Sequence, residues 1–187
     1  MIVFRVCDSR FPFLWTAEGG ARQAPARWHG AGEGPVQYFA DTPDGAWAEL
    51  LRHEEITDAA DLGGIAALLW ALTLDDVPMK EPNLPLAALT SDPDGYEACR
   101  AEARRLRALG ATRITTHSAA VLPGEGAGYR VTAVGLERAP PREAKVIAHF
   151  GTLSEAEGWR ASDPGAPPRQ LLPLVRHFGQ NERSNTP

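Results

Sequence analysis

Cysteine and lysine are scarce in this 187-residue chain: two cysteines, Cys7 and Cys99, and two lysines, Lys80 and Lys145. Two cysteines make neither a disulfide framework nor a zinc ligand set, so a reduced, cytoplasmic setting is expected. Long apolar runs are missing too. The best candidate, "IAALLWALTL" at 65–74, falls short of the ~20 residues that span a bilayer. The opening "MIVFRVCDSRFPFLW" lacks the basic start and cleavage site of a signal peptide, and no membrane partner is expected. There is no excess of positive charge. The formal net charge is -5, which argues against a nucleic-acid partner, because clustered Lys and Arg are what hold a phosphate backbone. Several standard motifs are absent: the Gly-rich phosphate loop ending in Lys-Ser/Thr, the GxSxG elbow and the HExxH pair. His29, His53, His117, His149 and His177 are scattered without ligand spacing, so no metal is expected.

What is present suits one soluble globular domain, with 43% hydrophobic and 23% charged residues. Its cations are nearly all arginines, whose planar forks fit phosphate and carboxylate. "IVFRVC" alternates bulky and polar residues and reads as a strand. Residues 8–34 form a long loop rich in Gly, Arg, Pro and Trp; loops of that length in compact domains are usually functional or disordered. "PVQYFA" is a second strand. "DTPDGAWAELLRHEE" opens a helix, capped by Asp41 or Thr42 with Pro43 in its first turn and Ala46, Trp47, Leu50 and Leu51 buried. "IAALLWALTL" reads as a strand at the centre of a sheet. A second helix, capped by Asp92 or Asp94 and ended by Gly110, buries Tyr96, Cys99, Ala103 and Leu106 and turns Glu97, Arg100, Arg104 and Arg107 outward. "ATRITTHSAAV" is strand then loop, and "YRVTAVGLE", "AKVIAHF" and "LLPLVRHF" read as three later strands. The order predicts an α+β fold: a single domain over 1–178, a mixed β-sheet core with a few helices, and a polar tail over 179–187.

Three residues have both an ordinary and a chemical reading. Arg27, in a loop of small residues, is either solvated charge or an anion clamp whose fork holds a pyrophosphate. Tyr38 is either a core tyrosine or an aromatic shelf for a planar ring. Glu49 borders the apolar helix face, either as an edge charge paired with Arg52 or as a carboxylate that stabilises a developing cation. Ser118 follows a strand, where serines are usually turn residues.

In their order, these segments resemble the RES-domain family, which is named for an Arg, a Glu and a Ser. "FRV" opens the chain as in that family. "EGGARQAPARWHGAGEGPVQYFAD" is similar to its Gly–Arg–Trp loop and Tyr-bearing strand, and "DGAWAELLRHE" to its Glu-bearing helix. "THSAA" falls where its Ser segment is expected, and "LLPLVRHF" resembles its closing strand. Ala26 and His29 stand where the family usually has Gly and Asn. The resemblance implies an ADP-ribosyltransferase-like fold and NAD as substrate. It implies cleavage of the nicotinamide–ribose bond, with ADP-ribose passing to inorganic phosphate, water or a protein. Arg27, Tyr38, Glu49 and Ser118 would form the site, with Arg52 or Arg5 as a second arginine for phosphate. The leaving nicotinamide is already cationic, so the chemistry asks for no metal. The resemblance further implies a bacterial toxin with a cognate antitoxin and leaves homo-oligomers open. A catalytically inactive partner-binding module is the non-enzymatic alternative.

Overall fold

The computed structural model describes residues 1–179. The expected tail therefore lies, from residue 180 on, outside the described residues. Among the described residues there are eight strands: β1 (Ile2–Asp8), β2 (Val36–Ala40), β3 (Ala67–Thr73), β4 (Arg113–His117), β5 (Tyr129–Thr132), β6 (Gly135–Arg138), β7 (Lys145–Phe150) and β8 (Gly158–Arg160). Four helices accompany them: α1 (Ala17–Gly20), α2 (Pro43–His53), α3 (Leu86–Leu89) and α4 (Tyr96–Ala108). Six strands form one sheet in the order β4-β7-β2-β1-β3-β8, and β5 and β6 form a separate hairpin. No described helix is long and apolar enough to cross a membrane.

The α+β expectation holds, with corrections. The sheet is antiparallel at every strand pairing rather than mixed; the parallel contact is an isolated bridge between Lys80 and Ile114. β3 lies one strand in from the edge formed by β8, not at the centre. "YRVTAVGLE" folds back on itself as β5 and β6, with Gly135 at φ 122°, a region closed to most side chains. "LLPLVRHF" is not a strand. Arg169–Leu174 is a 3-10 turn containing Pro173, which cannot donate to a ladder; Val175 alone bridges Val121.

The helix expectations hold more closely. Thr42 caps α2, its hydroxyl accepting from the Gly45 N–H at 3.0 Å. Asp41 instead accepts from the Lys145 N–H at 2.8 Å and so ties the start of α2 to β7. Ala46, Trp47, Ala48 and Leu51 are buried against β1 and β3, and Leu50 packs half-buried at the edge of that core. α4 buries Tyr96, Cys99, Ala103 and Leu106 as expected. It starts without a side-chain cap and stops at Gly110, φ 83°. Asp92, one of its two expected caps, is drawn away to Arg52.

One feature of the sheet positions everything else. β1 pairs with β3 at seven positions and β2 with β7 at five, but β1 meets β2 only at Phe4 and Ala40. The central strands touch once and then part.

Candidate active site

Where β1 leaves β2, the backbone of β2 needs other partners, since a buried unpaired amide costs about as much as a lost hydrogen bond. The long loop supplies them. The Gln23 amide takes both polar groups of Val36, at 2.8 Å each. The buried Gln37 amide donates to the Trp15 carbonyl at 2.8 Å and accepts from the Trp15 N–H at 2.9 Å and from Arg5 Nη1 at 3.1 Å. The loop is thus sewn to the sheet, and residues 26–33 are held over the parting of the strands.

The outward arginines of α4 complete that anchoring. Arg100 Nε donates to the Ala26 carbonyl at 2.9 Å. Arg104 pairs with Glu33 at 3.1 Å, and Glu33 in turn accepts from the Gly30 N–H at 2.7 Å. Glu55 is the one described non-glycine residue with positive φ, so Ala26 needs no freedom that only glycine has. His29 is fully buried, with Nδ1 2.9 Å from the Tyr38 hydroxyl.

Arg27, Tyr38 and Glu49 meet at one cleft made of two adjoining cavities that share Tyr38, Glu49, His53 and Val146. The smaller, about 70 Å³, also has Arg27, Arg52, Tyr96, Thr116 and His117 in its wall. The larger, about 240 Å³, is lined by Phe4, Val6, Phe39 and Leu50, with Arg5 as its cation. Glu49 sits at their junction. Its Oε1 accepts from the Ser118 hydroxyl at 2.9 Å, and the same hydroxyl accepts from the Ala120 N–H at 3.1 Å. Ser118 is buried and lines neither cavity; it meets the cleft only through Glu49.

The cations differ in how far they are committed. Arg27 donates to the Ser91 carbonyl at 2.7 Å and lies 4.3 Å over the Tyr96 ring. Arg52, 1% exposed, is a strut. Its Nη1 donates to the carbonyls of Ala119 and Arg176, and its Nη2 to Asp92 at 2.8 Å; Phe178 stacks 4.3 Å away. Arg5 makes its bond to Gln37 and has no ion pair among the described residues. Burial holds the Arg5 guanidinium below its ordinary pKa, the nearby Cys7 opposing weakly. The Tyr38 phenol, spent on the Trp28 N–H and His29, is pushed well above the usual range by burial. It presents a ring face, not a hydroxyl.

Ser91, Tyr96, His53 and Thr116 were not singled out as site residues from the sequence. Thr116 is the one with a readable signal, since it sits one residue before the His-Ser pair on an alternating strand. Among the described residues, no three His, Cys, Asp or Glu side chains gather as a metal ion would require.

A cleft cut where the central strands of an antiparallel sheet part, roofed by a loop arginine and edged by a helix glutamate, defines a class before it defines a family. The fold of that class is shared by a chain of the M. tuberculosis MbcT–MbcA toxin–antitoxin complex, with a TM-score of 0.55 at 15% identity, covering 92% of this chain and 87% of that one. The family follows from the sequence: the RES domain matches residues 2–165, and this chain belongs to the RES-domain family. No curated protein matches it.

Proposed function

We propose that this protein consumes NAD by breaking the nicotinamide–ribose bond and passes ADP-ribose to inorganic phosphate, or to water where phosphate is absent. We further propose that it acts as the toxin of a toxin–antitoxin pair. Family membership supports a role of this kind, as does a fold shared with a chain from a toxin–antitoxin complex. The observation that carries the chemistry is Glu49: a carboxylate fixed by a serine hydroxyl at 2.9 Å where a cation-lined cavity meets a larger apolar one.

In this reading the C–N bond breaks with its electron pair going to the cationic nicotinamide, which leaves neutral. Positive charge develops on the ribose, and the Glu49 carboxylate stabilises that oxocarbenium-like state, as carboxylates do in glycoside cleavage. A phosphate oxygen, or water after losing a proton, then bonds to the anomeric carbon. Ser118 acts through Glu49: a carboxylate with one oxygen bonded to a buried hydroxyl does not reorient as charge develops. The ring face of Tyr38 is the surface against which a planar group can lie. Arg27 faces phosphate oxygens. Arg5 suits the role of second guanidinium better than Arg52, whose Nη atoms are taken by carbonyls and Asp92.

The test is incubation of purified protein with NAD, with and without phosphate, and identification of products by mass and by ³¹P resonance. A phosphorylated ADP-ribose formed only with phosphate supports phosphorolysis, and free ADP-ribose in both conditions supports hydrolysis. Intact NAD in both, with ADP-ribose appearing on lysate proteins, would replace the reading by protein modification.

A further inference from the structure

Behind the cleft stands a histidine that lines neither of its lobes. His29 is 0% exposed. Its carbonyl accepts from the Ala26 N–H at 3.0 Å and closes the turn that carries Arg27 and Trp28. Trp28 is buried in the α4 core with Cys99 and Leu106, while Arg27 lines the cleft. The Trp28 N–H donates to the Tyr38 hydroxyl at 3.1 Å, so that oxygen holds the peptide joining Arg27 to Trp28. The hydroxyl has one proton of its own to place. Among the described residues, the acceptor within its reach is His29 Nδ1, at 2.9 Å. The imidazole is then bare at Nδ1 and carries its own proton on Nε2. An apolar side chain in this place would leave the hydroxyl proton buried without an acceptor, a costly arrangement.

We infer that His29 is a positioning residue: by accepting the Tyr38 proton at a bare Nδ1, it locks the Tyr38 ring and the Arg27–Trp28 peptide into one unit. It touches no reacting atom and acts through Tyr38. The lock rests on the NAD reading for what it positions, a planar group on the Tyr38 ring and phosphate oxygens at Arg27. Both are held alike before and during cleavage of the C–N bond. Loosening the lock therefore weakens ground state and transition state together, and the loss falls in KM rather than in kcat. What His29 must supply is an acceptor, not a charge. The Oδ1 of an asparagine stands at the same distance along the side chain as Nδ1 and serves equally.

The test is a double-mutant cycle on NAD loss with His29→Leu, Tyr38→Phe and the two combined, and His29→Asn as the conservative variant. His29→Leu and Tyr38→Phe should each raise KM for NAD about tenfold, the size of one ordinary hydrogen bond, with kcat within about twofold. The combined variant should be no worse than either alone, because both remove the same bond. His29→Asn should keep KM within about twofold of wild type. Losses that multiply to about a hundredfold in the combined variant would overturn the proposal. So would a folded His29→Leu with wild-type KM, or a His29→Asn as impaired as His29→Leu. Should His29→Leu not fold, the imidazole ¹⁵N spectrum of the wild type reads the lock directly. A bare, hydrogen-bonded Nδ1 whose resonance moves in Tyr38→Phe is expected, and a protonated Nδ1 contradicts it. The two readings fail separately: a bare Nδ1 in a protein that leaves NAD intact defeats only the NAD reading, and a protonated Nδ1 in one that consumes NAD defeats only the lock.

Discussion

The sheet carries two clusters of arginine, histidine and acid, each around a buried arginine, one at each end of β4 and β7, and they are built to different ends. At the far end, Arg113 and His149 face each other across the ladder. Arg113, 3% exposed, donates Nε to His149 Nδ1 at 3.0 Å and its two Nη groups to the carbonyl and carboxylate of Asp75. The cavity beside them is about 510 Å³, far larger than either lobe of the Glu49 cleft. Yet each nitrogen of that guanidinium is spent. In the Glu49 cleft the space is smaller, and two buried donors, Thr116 Oγ1 and Arg52 Nε, remain without partners among the described residues. Cavity size therefore ranks these regions in the wrong order; what distinguishes a place for chemistry is unspent hydrogen-bonding capacity beside a fixed charge.

The contrast can be broken by exchanging the expected phenotypes. Arg27→Leu should lower kcat/KM for NAD by about a hundredfold, because it removes a charged donor from the cleft, with the melting temperature within a few degrees of wild type. Steady-state kinetics with a thermal melt checks both halves. Arg113→Leu should do the reverse. It leaves the buried His149 without its partner and should cost about 1–3 kcal/mol in urea unfolding, with kcat/KM unchanged within twofold. A hundredfold loss of turnover there would mean that the far cluster also serves the reaction.

Much of this was legible from residues alone. Thr42 and Pro43 mark the start of α2, and the spacing of Tyr96, Cys99, Ala103 and Leu106 marks the buried face of α4. Arg27, Tyr38 and Glu49 were nameable through the RES resemblance, although spacing alone left each with an ordinary alternative. The parting of β1 from β2 was not legible. It depends on Gln23 taking over the backbone bonds of Val36 and on Gln37 holding the Trp15 backbone, and neither glutamine announces that in sequence. "LLPLVRHF" misleads because its apolar pattern outweighs one proline, whereas in the fold that proline decides. The unpaired atoms of Thr116 and Arg52 are properties of packing and have no sequence signature.

Ser118→Ala sharpens the comparison within the cleft. Because Ser118 reaches the cleft only through Glu49, the loss in kcat should be about tenfold, well below that of the glutamate itself, with little change in KM. An unchanged kcat would make the serine purely structural.

The smallest expected effect concerns pH. Burial, aided by the charge of Arg113, holds His149 below its ordinary value of 6.5, and burial does the same to His29. Unfolded imidazoles bind protons below about pH 6.5 and these folded ones resist doing so, so their contribution is complete above that pH and declines as pH falls through it. Thermal melts should drop by a few degrees between pH 7.5 and 5.5, and His149→Gln should shrink the difference. An unchanged slope in that variant would remove His149 from the account.

The most direct test of the central claim is the rate of NAD loss at saturating phosphate for wild type and Glu49→Gln, with both proteins shown to be folded by their melts. The account predicts loss in the wild type and a decrease of at least about a hundredfold in the variant, because the amide keeps the shape but not the charge that stabilises the ribosyl cation. Normal turnover by Glu49→Gln would contradict it.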